Sequence, residues 1–70
     1  MNIILYKTPT CPMCKLLIKE LEEADINFEI IDDIEILEEK NITHVPILEV
    51  KGKYMNFQEA LNWVRGGRND

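Results

Sequence analysis

The chain is poor in the residue types that usually announce a function: two cysteines, one histidine, one tryptophan, three glycines and three prolines in 70 residues. Each scarcity excludes something. A closed zinc site takes about four ligands. Cys11, Cys14 and His44 supply fewer than that, so a metal or cluster site would need a second subunit. Eight basic residues against thirteen acidic ones give a net charge of −5 with no basic block, which excludes DNA and RNA as partners because that affinity rests on neutralising phosphates. No apolar run approaches the ~20 residues that span a bilayer, so no membrane partner is expected. The start, Met1-Asn2-Ile3-Ile4-Leu5-Tyr6, has no charged leader region or cleavage site, which points to a cytoplasmic protein. In a reducing compartment a lone cysteine pair is catalytic or metal-binding more often than a permanent staple. Repeats, linkers and low-complexity tracts are also missing. At 46% hydrophobic and 30% charged residues, the expectation is one compact domain spanning residues 1–70.

What is present reads as alternating strands and helices. Ile3-Ile4-Leu5-Tyr6 is a continuous apolar run, the pattern of a central strand covered on both faces. From about Pro12 to Ala24, Met13, Leu17, Leu21 and Ala24 recur at helical spacing with Leu16 and Ile18 beside them, and Lys15, Lys19, Glu20, Glu22 and Glu23 fill the other side. Asn27 to Ile31 reads as a second strand, parallel to the first across the helical crossover. Asp33 caps a short helix whose Ile34 and Leu37 face inward and which ends near Lys40-Asn41. Ile47–Val50 and Lys53–Met55 flank Lys51-Gly52, hairpin turn chemistry, and Pro46 stands where a strand begins. A last helix starts at Asn56, with Glu59 completing a capping box, buries Phe57, Ala60, Leu61 and Val64, and stops at Gly66-Gly67. Trp63 falls one position off that stripe and is expected to pack against the body. The order βαβ-α-ββα describes an α/β fold, a four-stranded mixed sheet with three helices.

Both cysteines lie where the first strand feeds the first helix, the carboxyl end of the strand, where open α/β sheets place their sites. With Cys11 as N-cap and Pro12 as first helical residue, Cys14 sits one turn inside on the same helix face, within bonding reach. The unpaired N–H groups and macrodipole of the helix start favour a thiolate over a thiol. Cys11 is then the nucleophile that attacks a disulfide, and Cys14 resolves the mixed disulfide. The alternative is a dimeric metal- or cluster-binding module ligated through Cys11 and Cys14. Pro12 and Met13 lie beside the sulfurs as candidate substrate contacts, and His44 as a group able to tune them. Lys7, Lys15, Lys51 and Lys53 are expected to border the active-site end and to steer carboxylate-bearing substrates there, whereas the acids crowd Glu20 to Glu39.

Three features resemble the glutaredoxins and small glutaredoxin-like redoxins of the thioredoxin superfamily: the stretch YKTPTCPMCK from Tyr6 to Lys15, the Val45-Pro46 pair opening a strand, and the element order over essentially the whole chain. The resemblance implies a thioredoxin-like, glutaredoxin-type fold and a cytoplasmic thiol-disulfide oxidoreductase, an electron carrier in cell redox homeostasis. It also implies a cis Val45–Pro46 bond beside Cys11, with the Val45 backbone hydrogen-bonding a substrate cysteine. The implied partners are disulfide-containing proteins, ribonucleotide reductase among them. The implied reductant is glutathione, as co-substrate, or thioredoxin reductase. No bound cofactor is expected, and the protein is expected to be a monomer. The chain departs from the family pattern at four places. Met13 replaces a tyrosine between the cysteines, and His44 replaces a threonine before Val-Pro. Thr8 occupies the usual basic position, with Lys7 one residue earlier. Met55-Asn56-Phe57-Gln58 stands where a Gly-Gly-x-Asp segment holds the γ-glutamyl end of glutathione.

Overall fold

A computed structural model describes residues 3–67 of the chain; Met1 and Asn2, on which the leader reading partly rests, lie outside them. The elements run β1 (Ile3–Tyr6), α1 (Pro12–Glu23), β2 (Glu29–Ile31), α2 (Ile34–Glu39), β3 (Ile47–Val50), β4 (Lys53–Met55) and α3 (Phe57–Asn62), which continues into a π-helical turn over Trp63–Gly67. The strands form one sheet in the order β2-β1-β3-β4. β1 pairs with β2 in parallel and with β3 antiparallel, and β3 pairs with β4 antiparallel. The chain thus has the small mixed α/β sheet of the thioredoxin-like fold.

Register decides which side chains share a face. Leu5 opposes Leu48, and Leu48 opposes Met55. These residues, with Ile3 and Val50, form a core with Leu17 and Leu21 of α1, Ala60 of α3 and Val64 of the π-turn. Leu5, Leu17, Leu21 and Leu48 are fully buried, each contributing about 2 kcal/mol of apolar transfer. Trp63 packs partly buried against this core, as its near-stripe position predicts. It also lines a cavity of about 250 Å³ with Val50, Lys51, Lys53 and Met55.

The opposite face carries Tyr6, Glu49 and Tyr54. Tyr6 is fully buried and donates its phenolic hydrogen to Glu49 Oε1 at 2.5 Å. The two are diagonal neighbours, since Tyr6 opposes Ile47 two residues before Glu49, within reach of a long aromatic side chain. Tyr54 meets the Tyr6 ring edge-on with centroids 6.1 Å apart, and the Lys40 ammonium lies 5.9 Å from that ring. Burial, reinforced by the Glu49 carboxylate, pushes the Tyr6 phenol well above its usual range.

Three expectations need correction. Ile34 does not face inward: it is 55% exposed, while Leu37 is buried. Ile34 is the first helical residue, directly after the Asp33 cap, and the burial of α2 falls one turn later, on Leu37. Leu16, expected beside the buried stripe of α1, is 57% exposed, because the buried line is Cys14, Leu17 and Leu21. Lys51 and Lys53 do not border the end of the sheet that carries the cysteines. Val50 opposes Ile3 at the start of β1, so the hairpin turn lies at the far end of the sheet from the loop that follows Tyr6.

Both longer connections leave their helices through the same device. The Asp25 N–H reaches the Glu22 carbonyl and the Ile26 N–H the Leu21 carbonyl, each at 3.1 Å. After α2, the Asn41 N–H reaches Glu38 at 3.1 Å and the Ile42 N–H reaches Leu37 at 2.9 Å. These are Schellman endings, with Asp25 at φ 62° and Asn41 at φ 58° in the left-handed position that glycine usually fills. The β3–β4 turn uses Lys51 at φ 53° and Gly52 at φ 80°, the two positive φ values of a two-residue hairpin turn.

Candidate active site

β1 delivers the chain to the site and α1 holds it. After Tyr6, the Lys7 N–H still bonds the Ile31 carbonyl at 3.0 Å, so the loop of Thr8, Pro9 and Thr10 departs from a pinned strand end. Cys11 takes extended backbone, φ −95° and ψ 105°, as the N-cap of α1, and Pro12 follows at the first helical position. Proline suits that place because its missing N–H would be unpartnered anyway.

The sulfur of Cys11 accepts the backbone N–H of Cys14 at 3.0 Å, as the oxygen of a serine or asparagine cap would. Cys11 and Cys14 are joined as a disulfide, with Cα atoms 5.3 Å apart. Cys14 is fully buried, and Cys11 retains 9% of its surface to solvent. The more accessible cysteine is therefore the one aimed at by the helix start. The first turn of α1 holds no acidic residue, so no carboxylate competes for those donors. The site thereby has the two requirements of thiol–disulfide exchange: a sulfur that can be attacked or attack from outside, and a second within bonding distance behind it.

The second wall comes from β3. Because Tyr6 opposes Ile47, the segment entering β3 lies at the same end of the sheet as the loop leaving β1. Val45–Pro46 is a cis peptide bond, with Pro46 buried, Val45 half-buried and His44 exposed. Of the sequence-derived candidates, Cys11, Pro12, Met13 and Cys14 thus share one helical turn, and His44, Val45 and Pro46 adjoin the same sheet end. Lys7 is engaged elsewhere, its ammonium 3.9 Å from Asp32 Oδ2. Sequence reasoning did not find that partner, nor the Tyr6–Glu49 bond, because both depend on strand register. Among the described residues, no group of three or more His, Cys, Asp or Glu side chains converges as a metal site would require. Nor is any helix among them long and apolar enough to cross a membrane.

This is a thioredoxin-like sheet with a cysteine pair at the start of its first helix and a cis-proline across from it. The glutaredoxin family model matches residues 3–55, well over half of the chain, and the protein belongs to the glutaredoxin family. A search of curated proteins finds no matching relative. The match ends at Met55, before α3.

Proposed function

We propose that the protein is a dithiol carrier that reduces disulfides in other proteins. In the reduced state the Cys11 thiolate attacks one sulfur of a substrate disulfide. A Cys11–substrate bond forms, the substrate bond breaks, and the released sulfur takes up a proton. Cys14, deprotonated, then attacks Cys11 Sγ, re-forms the Cys11–Cys14 bond and releases the second substrate thiol. Two electrons pass to the substrate and two protons go with them. The observation that carries this reading is the N-cap sulfur: the amide that bonds Cys11 Sγ at 3.0 Å in the disulfide is placed to hold a thiolate at the same position. Val45, just before the cis peptide, is assigned the backbone contact to the incoming substrate cysteine. Pro12, Met13, His44 and Lys7 remain candidate contacts around it.

For the reductant, we favour a thioredoxin reductase over glutathione. The reading is supported by the segment that stands where the family holds the γ-glutamyl group. Met55 is buried, and the Asn56 side chain is taken up by the Glu59 N–H at 2.8 Å while Glu59 returns to the Asn56 N–H at 3.0 Å. Two of the donors at the start of α3, the Asn56 and Glu59 N–H groups, thus have partners of their own. Turnover with NADPH and thioredoxin reductase, compared with glutathione and glutathione reductase, tests this. The first pair is expected to sustain protein-disulfide reduction; turnover with the second pair alone would assign glutathione instead.

A further inference from the structure

An apolar strip begins at the cysteine pair and runs down the outside of α1. Pro12 is exposed, Met13 is 44% exposed and Leu16 is 57% exposed. Met13 to Leu16 is an i, i+3 step and Pro12 to Leu16 an i, i+4 step, so the three adjoin on the helix surface. Single exposed apolar residues are ordinary. These three are grouped against the disulfide, and they turn away from the buried line Cys14, Leu17, Leu21, so packing within the chain does not explain them.

The border of the strip is basic although the protein is acidic. Lys15 and Lys19 are exposed on the same two turns, and the first acid of α1, Glu20, is held by Arg65 Nε at 3.2 Å. Glu22 and Glu23 lie roughly 14 Å or more along the helix axis from Met13, at about 1.5 Å per residue. That exceeds the Debye length of about 8 Å at physiological ionic strength for the Met13 end of the strip and, at seven residues from Glu22, for Lys15, whereas Lys19 has Glu22 and Glu23 three and four residues further on. At the same end of the sheet, Asp32 pairs with Lys7 and Asp33 accepts the Glu35 N–H as the cap of α2, on the β2 side. Along the strip itself the nearest unpaired charges on α1 are the two lysines.

We infer that this strip is the docking surface for the protein substrate, and that it selects disulfides whose cysteine is flanked by an apolar side chain and a carboxylate. The inference rests on the electron-carrier reading and specifies its substrate class. The apolar side chain covers Met13 and Leu16, and the carboxylate lies between Lys15 and Lys19. The strip is continuous with Cys11, so a segment seated on it brings its own sulfur to the nucleophile.

The test uses the full chain, pre-reduced, in single turnover against three synthetic disulfide-linked peptides of equal length, with cysteine flanked by Leu and Glu, by Leu and Lys, or by Ser and Glu. The Leu/Glu peptide is expected to react several-fold faster than either of the others, with the advantage over Leu/Lys shrinking as salt rises. Lys15→Glu with Lys19→Glu should reverse the Leu/Glu over Leu/Lys preference. Leu16→Ser should level Leu/Glu with Ser/Glu. All three positions are exposed, and circular dichroism of the variants verifies the fold. Equal rates for the three peptides, or preferences untouched by these substitutions, would overturn the docking surface while leaving the carrier intact. Failure to reduce any peptide would remove the carrier reading itself.

Discussion

α1 and α3 start alike and are put to opposite uses. Each is entered through an N-cap residue in extended backbone, Cys11 and Asn56, whose side chain accepts the N–H three residues on, from Cys14 and Glu59 respectively. At α3 the device closes on itself, because Glu59 sends its carboxylate back to the Asn56 N–H. At α1 the third residue is a second cysteine and no carboxylate returns. The positive end of α1 is thus left for charge on the Cys11 sulfur, whereas that of α3 is neutralised internally. One local geometry serves as a stability device when oxygen and carboxylate complete it and, on the proposed function, as a reactive site when sulfur holds the cap.

Four substitutions probe this contrast, the largest effect first. Cys11→Ser keeps a good cap but cannot form the mixed disulfide, so reduction of a protein disulfide should fall to background. Urea unfolding of the variant should stay within about 0.5 kcal/mol of the reduced parent, as serine caps well. Met13→Glu places an acid in the first turn of α1, one position before the place that Glu59 holds in α3. By satisfying the helix start it should raise the Cys11 thiol pKa and slow its alkylation at neutral pH by roughly three- to tenfold, a dipole-scale effect of ~1 kcal/mol. Asn56→Ala opens the capping box and should cost about 1 kcal/mol in urea unfolding, with the alkylation rate of Cys11 unchanged. Asp25→Gly relieves a left-handed residue at the far end of α1 and removes an acid from the negative end of the helix. It should stabilise the fold by about 0.5–1 kcal/mol, read as a higher unfolding midpoint.

Local signals carried much of this into the sequence. The strand before the cysteines, Pro12 at the helix start, the Asn56-to-Glu59 spacing and the Lys51-Gly52 turn each act over four residues or fewer, and each is found where the residues place it. The cis Val45–Pro46 bond followed from resemblance, since no local pattern distinguishes it from a trans bond. What stayed hidden depends on the third dimension. The stripe of α1 did not say that Leu16 lies outside the buried line, because helical spacing gives a face without the extent of the surface it meets. Two helix ends use Asp25 and Asn41 where glycine would have signalled the stop. Glu49 could be read only as the outward residue between Leu48 and Val50; its bond to Tyr6 needed the strand register.

The most direct test of the central claim is the ionisation of Cys11 in the reduced protein, followed by its alkylation rate across pH with Cys14 as internal reference. The account predicts that Cys11 reacts first and titrates below the ~8.5 of a free thiol. Equal rates at the two cysteines, or a Cys11 titration at or above that value, would contradict it.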